Sequence, residues 1–181
     1  MAKQYAQIDL VHREFIEAQH IFFTASATAD SRVNVSPKGL NALRILDEKT
    51  VAYLDLTGSG SETAAHMRAD GRLTLMFCAF DGRPQILRLY GKGRTVPRGS
   101  NEYARLLEAV FANTEQPGAR QIVILDVDLV TTSCGYGVPR FEYAGERPTL
   151  IGWAANKGEE GLEAYRREKN ARSIDGLPTG F

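Results

Sequence analysis

The alternation of apolar and polar residues predicts a chain rich in strands, with a few helices between them. Short runs that alternate, or that are apolar throughout, are typical of strands, and apolar residues repeated every three or four positions are typical of helices. The predicted strands cover residues 21–27, 33–36, 43–46, 51–56, 73–80, 86–96 and 121–132. The predicted helices cover residues 8–19 and 62–68, a segment that begins at Ser100 or Asn101, and residues 159–172.

The order of these elements indicates the fold class. Several strands follow one another with no helix between them, which favours a small β-barrel with helices packed on it over a doubly wound α/β sheet. In the strand 86–96, Gly91 and Gly93 share one face, which predicts a β-bulge or a sharp bend of the barrel. We expect a single domain over residues 1–181, with residues 135–181 as a C-terminal extension that packs on the barrel or on a partner subunit.

The stretch from Val51 to Met67, VAYLDLTGSGSETAAHM, joins an apolar strand to a helix through a loop of small residues. The first N–H groups of a helix lack partners, and small residues let a ligand approach the backbone closely. Four hydroxyl side chains lie in this region, those of Thr57, Ser59, Ser61 and Thr63. The stretch therefore predicts a cradle for phosphate or another anion. The alternative interpretation is a capping box, in which Ser59 and Glu62 bond reciprocally to the helix start without any ligand.

Two basic side chains and one loop are further candidates. Lys38, in the segment VSPKG, follows a predicted strand, and a lysine beside a Ser/Thr-rich helix start is a common way to neutralise a phosphate. The alternative for Lys38 is a solvated turn residue, and the alternative for Arg88 is a surface ion pair. The segment from Cys134 to Pro139 is either part of a site or a turn that leaves the barrel.

Charge balance and the lack of targeting signals narrow the class of protein. Lys plus Arg and Asp plus Glu both number 22, so no overall charge attracts nucleic acid or a membrane surface. No apolar run approaches the roughly 20 residues that span a bilayer, and no segment has the form of a signal peptide. The two cysteines, Cys78 and Cys134, form no C-x-x-C pair. We therefore expect a cytoplasmic protein with reduced thiols.

The usual motifs of metal, hydrolytic and nucleotide chemistry are missing. The histidines His12, His20 and His66 lack metal-ligand spacing, so no metal site is predicted. The residues around Ser59 do not fit the G-x-S-x-G motif of hydrolases, and no Walker or dinucleotide-binding motif is found. Any chemistry is therefore expected to belong to a bound organic cofactor.

Four segments, VNVSPKGL, RILDEKTVAYLDLTGSGSETAAHM, LTLMFCAFDG and ILRLYGKG, resemble the pyridoxamine 5'-phosphate oxidase-like flavin-binding proteins. The resemblance covers about residues 21–96, and SCGYGVP and NARSIDGLP further along resemble one subgroup. It implies a mainly β fold with peripheral helices, the six-stranded split β-barrel of the FMN-binding type. It also implies a homodimer with FMN bound at the subunit interface.

The resemblance further implies which residues hold the cofactor. The strand-to-helix loop and nearby basic residues would contact the phosphate and ribityl chain, and the preceding strand would lie along the cofactor. Arg88 would lie near the partner subunit's site. The implied cofactor-binding residues are Ser36, Lys38, Tyr53, Leu54, Asp55, Ser59, Ser61, Glu62, Thr63 and Arg88.

The implied function is an FMN-dependent oxidoreductase that acts on an unidentified small molecule. Two departures argue against oxidation of pyridoxamine phosphate itself. Glu62-Thr63 stands where the vitamin oxidases have an Arg-Lys pair, and their C-terminal Arg-x-His pattern is not evident. The alternatives are a non-catalytic flavin- or haem-binding storage or sensor protein, and a deazaflavin-dependent reductase. No acid or base is assigned from the sequence.

Overall fold

The computed structural model of the protein describes residues 2–181. It contains eight strands: β1 Lys3–Tyr5, β2 Phe22–Ser26, β3 Asn34–Lys38, β4 Leu43–Ile45, β5 Thr50–Leu56, β6 Arg72–Cys78, β7 Ile86–Pro97 and β8 Ala119–Ser133. Its helices are α1 Leu10–Glu17, α2 Glu62–Ala69, α3 Asn101–Phe111 and α4 Thr149–Tyr165, which continues into a π-helical turn, Arg166–Asn170. The seven predicted strands are present, and β1 escaped prediction because three residues are too few to show a period.

All eight strands form one antiparallel sheet that curls into a half-barrel, which confirms the mainly β, split-barrel prediction, with eight strands in place of the six that the resemblance implied. The strand order is β3-β2-β6-β7-β8-β5-β4, and β1 pairs with the end of β8. β8 is the longest strand, with 15 residues; it pairs with the whole of β7 on one side and with β5 on the other. β8 therefore connects the two halves of the sheet.

The central strands bury both of their faces because the protein has two apolar clusters. The interior of the barrel contains residues such as Val51 and Leu75. The second cluster lies between helix α3 and strands β5 and β8, and includes Leu54, Ile122 and Phe111. Successive residues of a strand point to opposite faces, so β5 contributes to both clusters in turn. This double burial explains why these strands are apolar along their whole length.

The C-terminal helix differs most from its prediction. α4 begins at Thr149 rather than at residue 159, and Gly158 interrupts it with a φ of 66°. Pro148, Gly152 and Gly158 are typical of a loop, which is why the sequence predicted one there. Ala154, between these glycines, is nevertheless buried. Ala154 packs beside Gly118, just before β8, and tertiary contacts of this kind can outweigh poor helix propensity.

The predicted irregularity at Gly91 is confirmed. The pairing of β7 with β8 shifts between Tyr90 and Gly91. A Cβ added at Gly91 would lie 1.9 Å from the carbonyl oxygen of Asp126, so β8 passes too close for any side chain. Glycine is required here by this close approach of two backbones.

Gly91→Ala is expected to lower the free energy of unfolding by about 1–3 kcal/mol, because the new methyl group forces β7 and β8 apart. Urea denaturation followed by intrinsic fluorescence measures this change. Gly152→Ala is the matched control, since no heavy atom lies within 4 Å of a Cβ at that helical position. A Gly91→Ala variant as stable as the control would contradict the close approach.

Candidate functional site

A cavity of about 320 Å³ opens where β3, β5 and the N-terminus of α2 meet. Eight of the ten predicted cofactor-binding residues line it: Ser36, Lys38, Leu54, Asp55, Ser59, Ser61, Glu62 and Thr63. The β3–β4 turn, the start of β8 and α4 also contribute to the wall, through Leu40, Arg120 and Leu150. The fold thus brings the lysine segment and the Gly/Ser loop, which are apart in the sequence, to one place.

Tyr53, the ninth candidate, lies next to the cavity but points into the barrel. Its ring packs edge-on against Phe22, with 5.6 Å between the ring centroids, and the ammonium of Lys38 lies 5.8 Å from the same ring. Within residues 2–181 its hydroxyl has no hydrogen-bond partner. Burial raises the pKa of Tyr53 well above its usual value, and the nearby charge of Asp55 raises it further. The phenol is therefore neutral at physiological pH.

Arg88, the tenth candidate, lies elsewhere in the same chain. It sits on β7, paired with Met76 on β6 and Thr131 on β8. It does not line the 320 Å³ cavity. The segment from Cys134 to Pro139 also lies outside that wall. A role for Arg88 at a cofactor would therefore require the site of another subunit.

The core side of the cavity holds a buried ion cluster. The Asp55 residue is 3% exposed, and its Oδ1 accepts a hydrogen bond from Lys38 Nζ at 3.0 Å. Its Oδ2 accepts from Arg120 Nε at 2.7 Å and from Gln121 Nε2 at 2.8 Å. Burial alone would raise the pKa of Asp55, but the charges of Arg120 and Lys38 outweigh it and hold that pKa well below its usual range. The carboxylate thus stays ionised between two cations.

Arg120 reaches Asp55 because the pairing of β5 with β8 is irregular at this point. Asp55 pairs with Gln121 and Leu56 pairs with Ala119, which leaves Arg120 as an extra, bulged residue. A bulge re-aims a side chain, and here it directs a guanidinium into the protein. The sequence analysis did not select Arg120. The available signal was an arginine beside an otherwise apolar strand, since arginine is rarely buried unless it is paired.

The π-helical turn after α4 holds the Gly/Ser loop in place. Asn170 donates from Nδ2 to the carbonyl of Gly58 at 3.1 Å, and its Oδ1 accepts from Arg120 Nη1 at 3.1 Å. Arg120 Nη2 donates to the carbonyl of Gly60 at 3.0 Å. Ser61 Oγ donates to the backbone carbonyl of Asn170 at 2.8 Å. Although Ser61 lines the cavity, its hydroxyl is therefore bound to the C-terminal segment. The sequence analysis did not select Asn170, although this residue opens the NARSIDGLP segment that resembles one subgroup.

The alternative interpretation of the loop, a capping box of Ser59 and Glu62, is wrong. α2 begins at Glu62, and its N-cap residue Ser61 makes no capping hydrogen bond with its side chain. Both oxygens of the Glu62 carboxylate instead lie 3.1 Å from the backbone nitrogen of Ile174 and accept its N–H. The carboxylate is thus held by the C-terminal segment and does not close the first turn of α2.

A chain of neutral polar groups forms another part of the wall. Asn34 Nδ2 donates to Thr63 Oγ1 at 3.2 Å, and Ser36 Oγ donates to Asn34 Oδ1 at 3.2 Å. Together with the ammonium of Lys38 these groups can hold an anion and its polar extension. Within residues 2–181, no group of three or more His, Cys, Asp or Glu side chains could hold a metal ion.

Comparisons with known proteins decide the family. The family model for pyridoxamine 5'-phosphate oxidase matches residues 8–134. A pyridoxamine 5'-phosphate oxidase family protein of Aspergillus flavus, ustO, is 39% identical over 184 residues, which cover 92% of this chain and 73% of that protein. The chain belongs to the pyridoxamine 5'-phosphate oxidase family.

Solved structures share the fold of this family member at lower identity. A HupZ variant from Group A Streptococcus superposes with a TM-score of 0.57 at 20% identity, over 70% of this chain and 99% of that one. An FAD-binding protein from Mesorhizobium loti superposes with a TM-score of 0.50 at 12% identity, over 73% of this chain and 96% of that one. Most of the cavity wall, from Asn34 to Arg120, lies inside the residues that match the pyridoxamine 5'-phosphate oxidase family, whereas Asn170 lies beyond them. No helix within residues 2–181 could cross a membrane.

Asp55→Asn is expected to lower the free energy of unfolding at neutral pH by about 3–5 kcal/mol, because it leaves the buried Arg120 and the partly buried Lys38 without their anion. The pKa of Asp55 is lowered by folding from its usual 3.8, so its contribution is complete above that value and is lost as the pH falls below it. Wild type and variant should therefore converge in stability on acidification.

Urea denaturation at several pH values between about 6 and about 2 measures how far the difference in stability narrows. Asp126→Asn is the control, because Asp126 is an exposed aspartate on β8 and should change stability by no more than about 0.5 kcal/mol. A constant gap between wild type and Asp55→Asn at every pH would contradict the assignment of a buried, ionised Asp55.

Proposed function

We propose that the protein is an FMN-dependent oxidoreductase that acts on a small molecule, with FMN in the 320 Å³ cavity. One observation carries the proposal: Lys38, the Gly/Ser loop and the start of α2 line the same cavity. The chain that forms this cavity is a member of the pyridoxamine 5'-phosphate oxidase family. When bound, the flavin would supply hydride or electron-pair transfer. The protein's part is to bind and orient it and to keep water away.

The residues that line the cavity fit both the phosphate end and the ring system of FMN. Lys38 has an ammonium that is partly exposed at the cavity and can share its remaining protons with a phosphate. The small residues of the loop let the phosphate approach the backbone. Leu40 and Leu54 offer an apolar wall to the ring system. The FAD-binding character of the Mesorhizobium loti protein adds support for a flavin.

A flavin-binding protein without turnover is the second candidate. It is favoured by the state of Asp55, the carboxylate nearest to Lys38, because two cations lower its pKa and make it a poor general acid or base. A haem protein is less well supported, because neither His20 nor His66 lines the 320 Å³ cavity. A deazaflavin would occupy the same cavity and is tested with the flavins. The unpaired thiols of Cys78 and Cys134 are compatible with the proposed cytoplasmic location.

The outer face of the sheet supports a homodimer. Residues paired across neighbouring strands point to the same face. One row across the sheet consists of Pro37, Phe23, Met76, Arg88 and Thr131. The next row consists of Val35, Ala25, Thr74, Tyr90 and Leu129. Most of these side chains are apolar yet accessible to solvent, and Val35 is 60% exposed, which is typical of an interaction surface. Arg88 would then project towards the partner's cofactor.

Binding to the purified protein should quench or shift the fluorescence emission of FMN. Lys38→Ala should weaken the binding free energy of FMN by about 1.5–3 kcal/mol, because a charge-assisted contact to the phosphate is lost. The matched control is Lys49→Ala, at an exposed turn, with unchanged affinity. A colourless protein that leaves FMN emission unaltered would refute the proposed function.

Turnover separates the two candidates. In an oxidoreductase, NADH or NADPH should reduce the bound flavin and bleach its absorption, and a defined acceptor should reoxidise it. Bound flavin that dithionite reduces, but that neither nicotinamide reduces, would instead favour the binding protein. Oxidation of a reduced deazaflavin by an acceptor, without turnover of FMN, would identify the third alternative.

Met76→Lys is expected to shift the protein from dimer to monomer in light scattering, because it places a charge at the centre of the outer face. Leu10→Lys is the control, since Leu10 is an equally apolar residue that is 70% exposed on α1, outside that face. Equal molar masses for both variants would argue against this surface as the dimer interface.

A further inference from the structure

We propose that Arg120 and Asn170 are positioning residues that orient the Gly/Ser loop so that it recognises the phosphate of the cofactor. This inference rests on the proposed binding of FMN in the 320 Å³ cavity. It adds a specificity determinant, because riboflavin, which lacks the phosphate, gains nothing from an oriented loop. Asn170 lies outside residues 8–134, the part of the chain that matches the family.

The first step of the argument concerns two backbone carbonyls. Asn170 Nδ2 holds the carbonyl of Gly58, and Arg120 Nη2 holds the carbonyl of Gly60. Glycine peptides rotate with little steric resistance, so without these bonds the loop would sample many orientations. Two buried side chains therefore fix the direction of two alternate peptide groups.

The second step follows from peptide geometry. In a planar trans peptide, the N–H of the next residue points opposite to the carbonyl, and the protein contains no cis peptide among residues 2–181. Fixing the carbonyls of Gly58 and Gly60 consequently turns the N–H groups of Ser59 and Ser61 away from Asn170 and Arg120. Within the described residues these two N–H groups have no backbone acceptor. They are free to donate to an anion, as backbone N–H groups do in phosphate-binding loops.

The third step explains why Arg120 acts through the loop. Its Nε is bound to Asp55, its Nη1 to Asn170 and its Nη2 to the Gly60 carbonyl. Its charge is neutralised by Asp55, and the residue is 6% exposed. The guanidinium therefore donates its hydrogen bonds to groups of the protein, and Lys38 is the cation that can bind a phosphate.

The fourth step concerns Asn170 itself. The residue is fully buried, and its backbone carbonyl accepts hydrogen bonds from the hydroxyls of Ser61 and Thr179. These bonds fix the position of the side chain relative to the loop. The C-terminal segment thus contributes to phosphate recognition without touching the cofactor.

The test compares the dissociation constants of FMN and riboflavin for one set of variants. Asn170→Ala is expected to weaken FMN about tenfold, which is the loss of roughly one hydrogen bond to a charged group, while riboflavin changes by less than about threefold. Arg120→Lys keeps the charge opposite Asp55 but cannot hold both Gly60 and Asn170, so the same loss of FMN preference is expected. Asn156→Ala, at an exposed position of α4, is the control.

The outcomes separate this inference from the proposed function. A wild type that binds neither flavin overturns both. A wild type that prefers FMN, with an Asn170→Ala variant that keeps the preference, overturns the inference alone. Equal weakening of both flavins also overturns it, because that is the result of a general structural role. If Arg120→Lys does not fold, the Asn170→Ala comparison decides alone, with thermal melting as proof of folding.

Discussion

The ionised carboxylate of Asp55 is the interaction on which the rest of the site depends. A buried charge is tolerated only when it is paired and hydrogen-bonded. Here the partners are Lys38 from β3 and Arg120 from β8, so three strands must come together before the charge is satisfied. Arg120 then extends the same network to Gly60 and Asn170. Satisfying one buried charge therefore fixes the strand ends, the loop and the C-terminal segment together.

The positive charge of this site comes from other residues than in the vitamin oxidases. The vitamin oxidases that the sequence resembles open helix α2 with an Arg-Lys pair, and this chain has Glu62-Thr63 instead. Glu62 is bound to the backbone of Ile174. The cations come from the sheet, through Lys38 and Arg120, and Asp55 neutralises one of them. A phosphate in the cavity would meet one net positive charge together with backbone N–H groups.

The sequence predicted the strands and the fold well, for a physical reason. Strands buried on both faces are apolar throughout, and Gly91 marks the place where two backbones approach closely. Eight of the ten predicted site residues do line one cavity. The residue pattern itself made Lys38 and the loop hydroxyls candidates, and the resemblance to a family added Ser36, Leu54, Asp55 and Glu62. The loop pattern alone also fitted a helix cap. That cap is absent because Glu62 has a partner more than a hundred positions away in the chain.

The sequence by itself determined the periodic parts of this protein: the strand pattern, the short helices, the glycine at the bulge and the small-residue loop before α2. Each is a local property, set by which side chains face the core and by the freedom of the backbone. Only the tertiary structure decided the position of Arg120, the contact of Asn170 with the Gly58 carbonyl and the early start of α4. These features depend on the pairing register of strands and on contacts between distant segments. A local pattern of residues does not predict which distant group will pair with a buried charge or carbonyl.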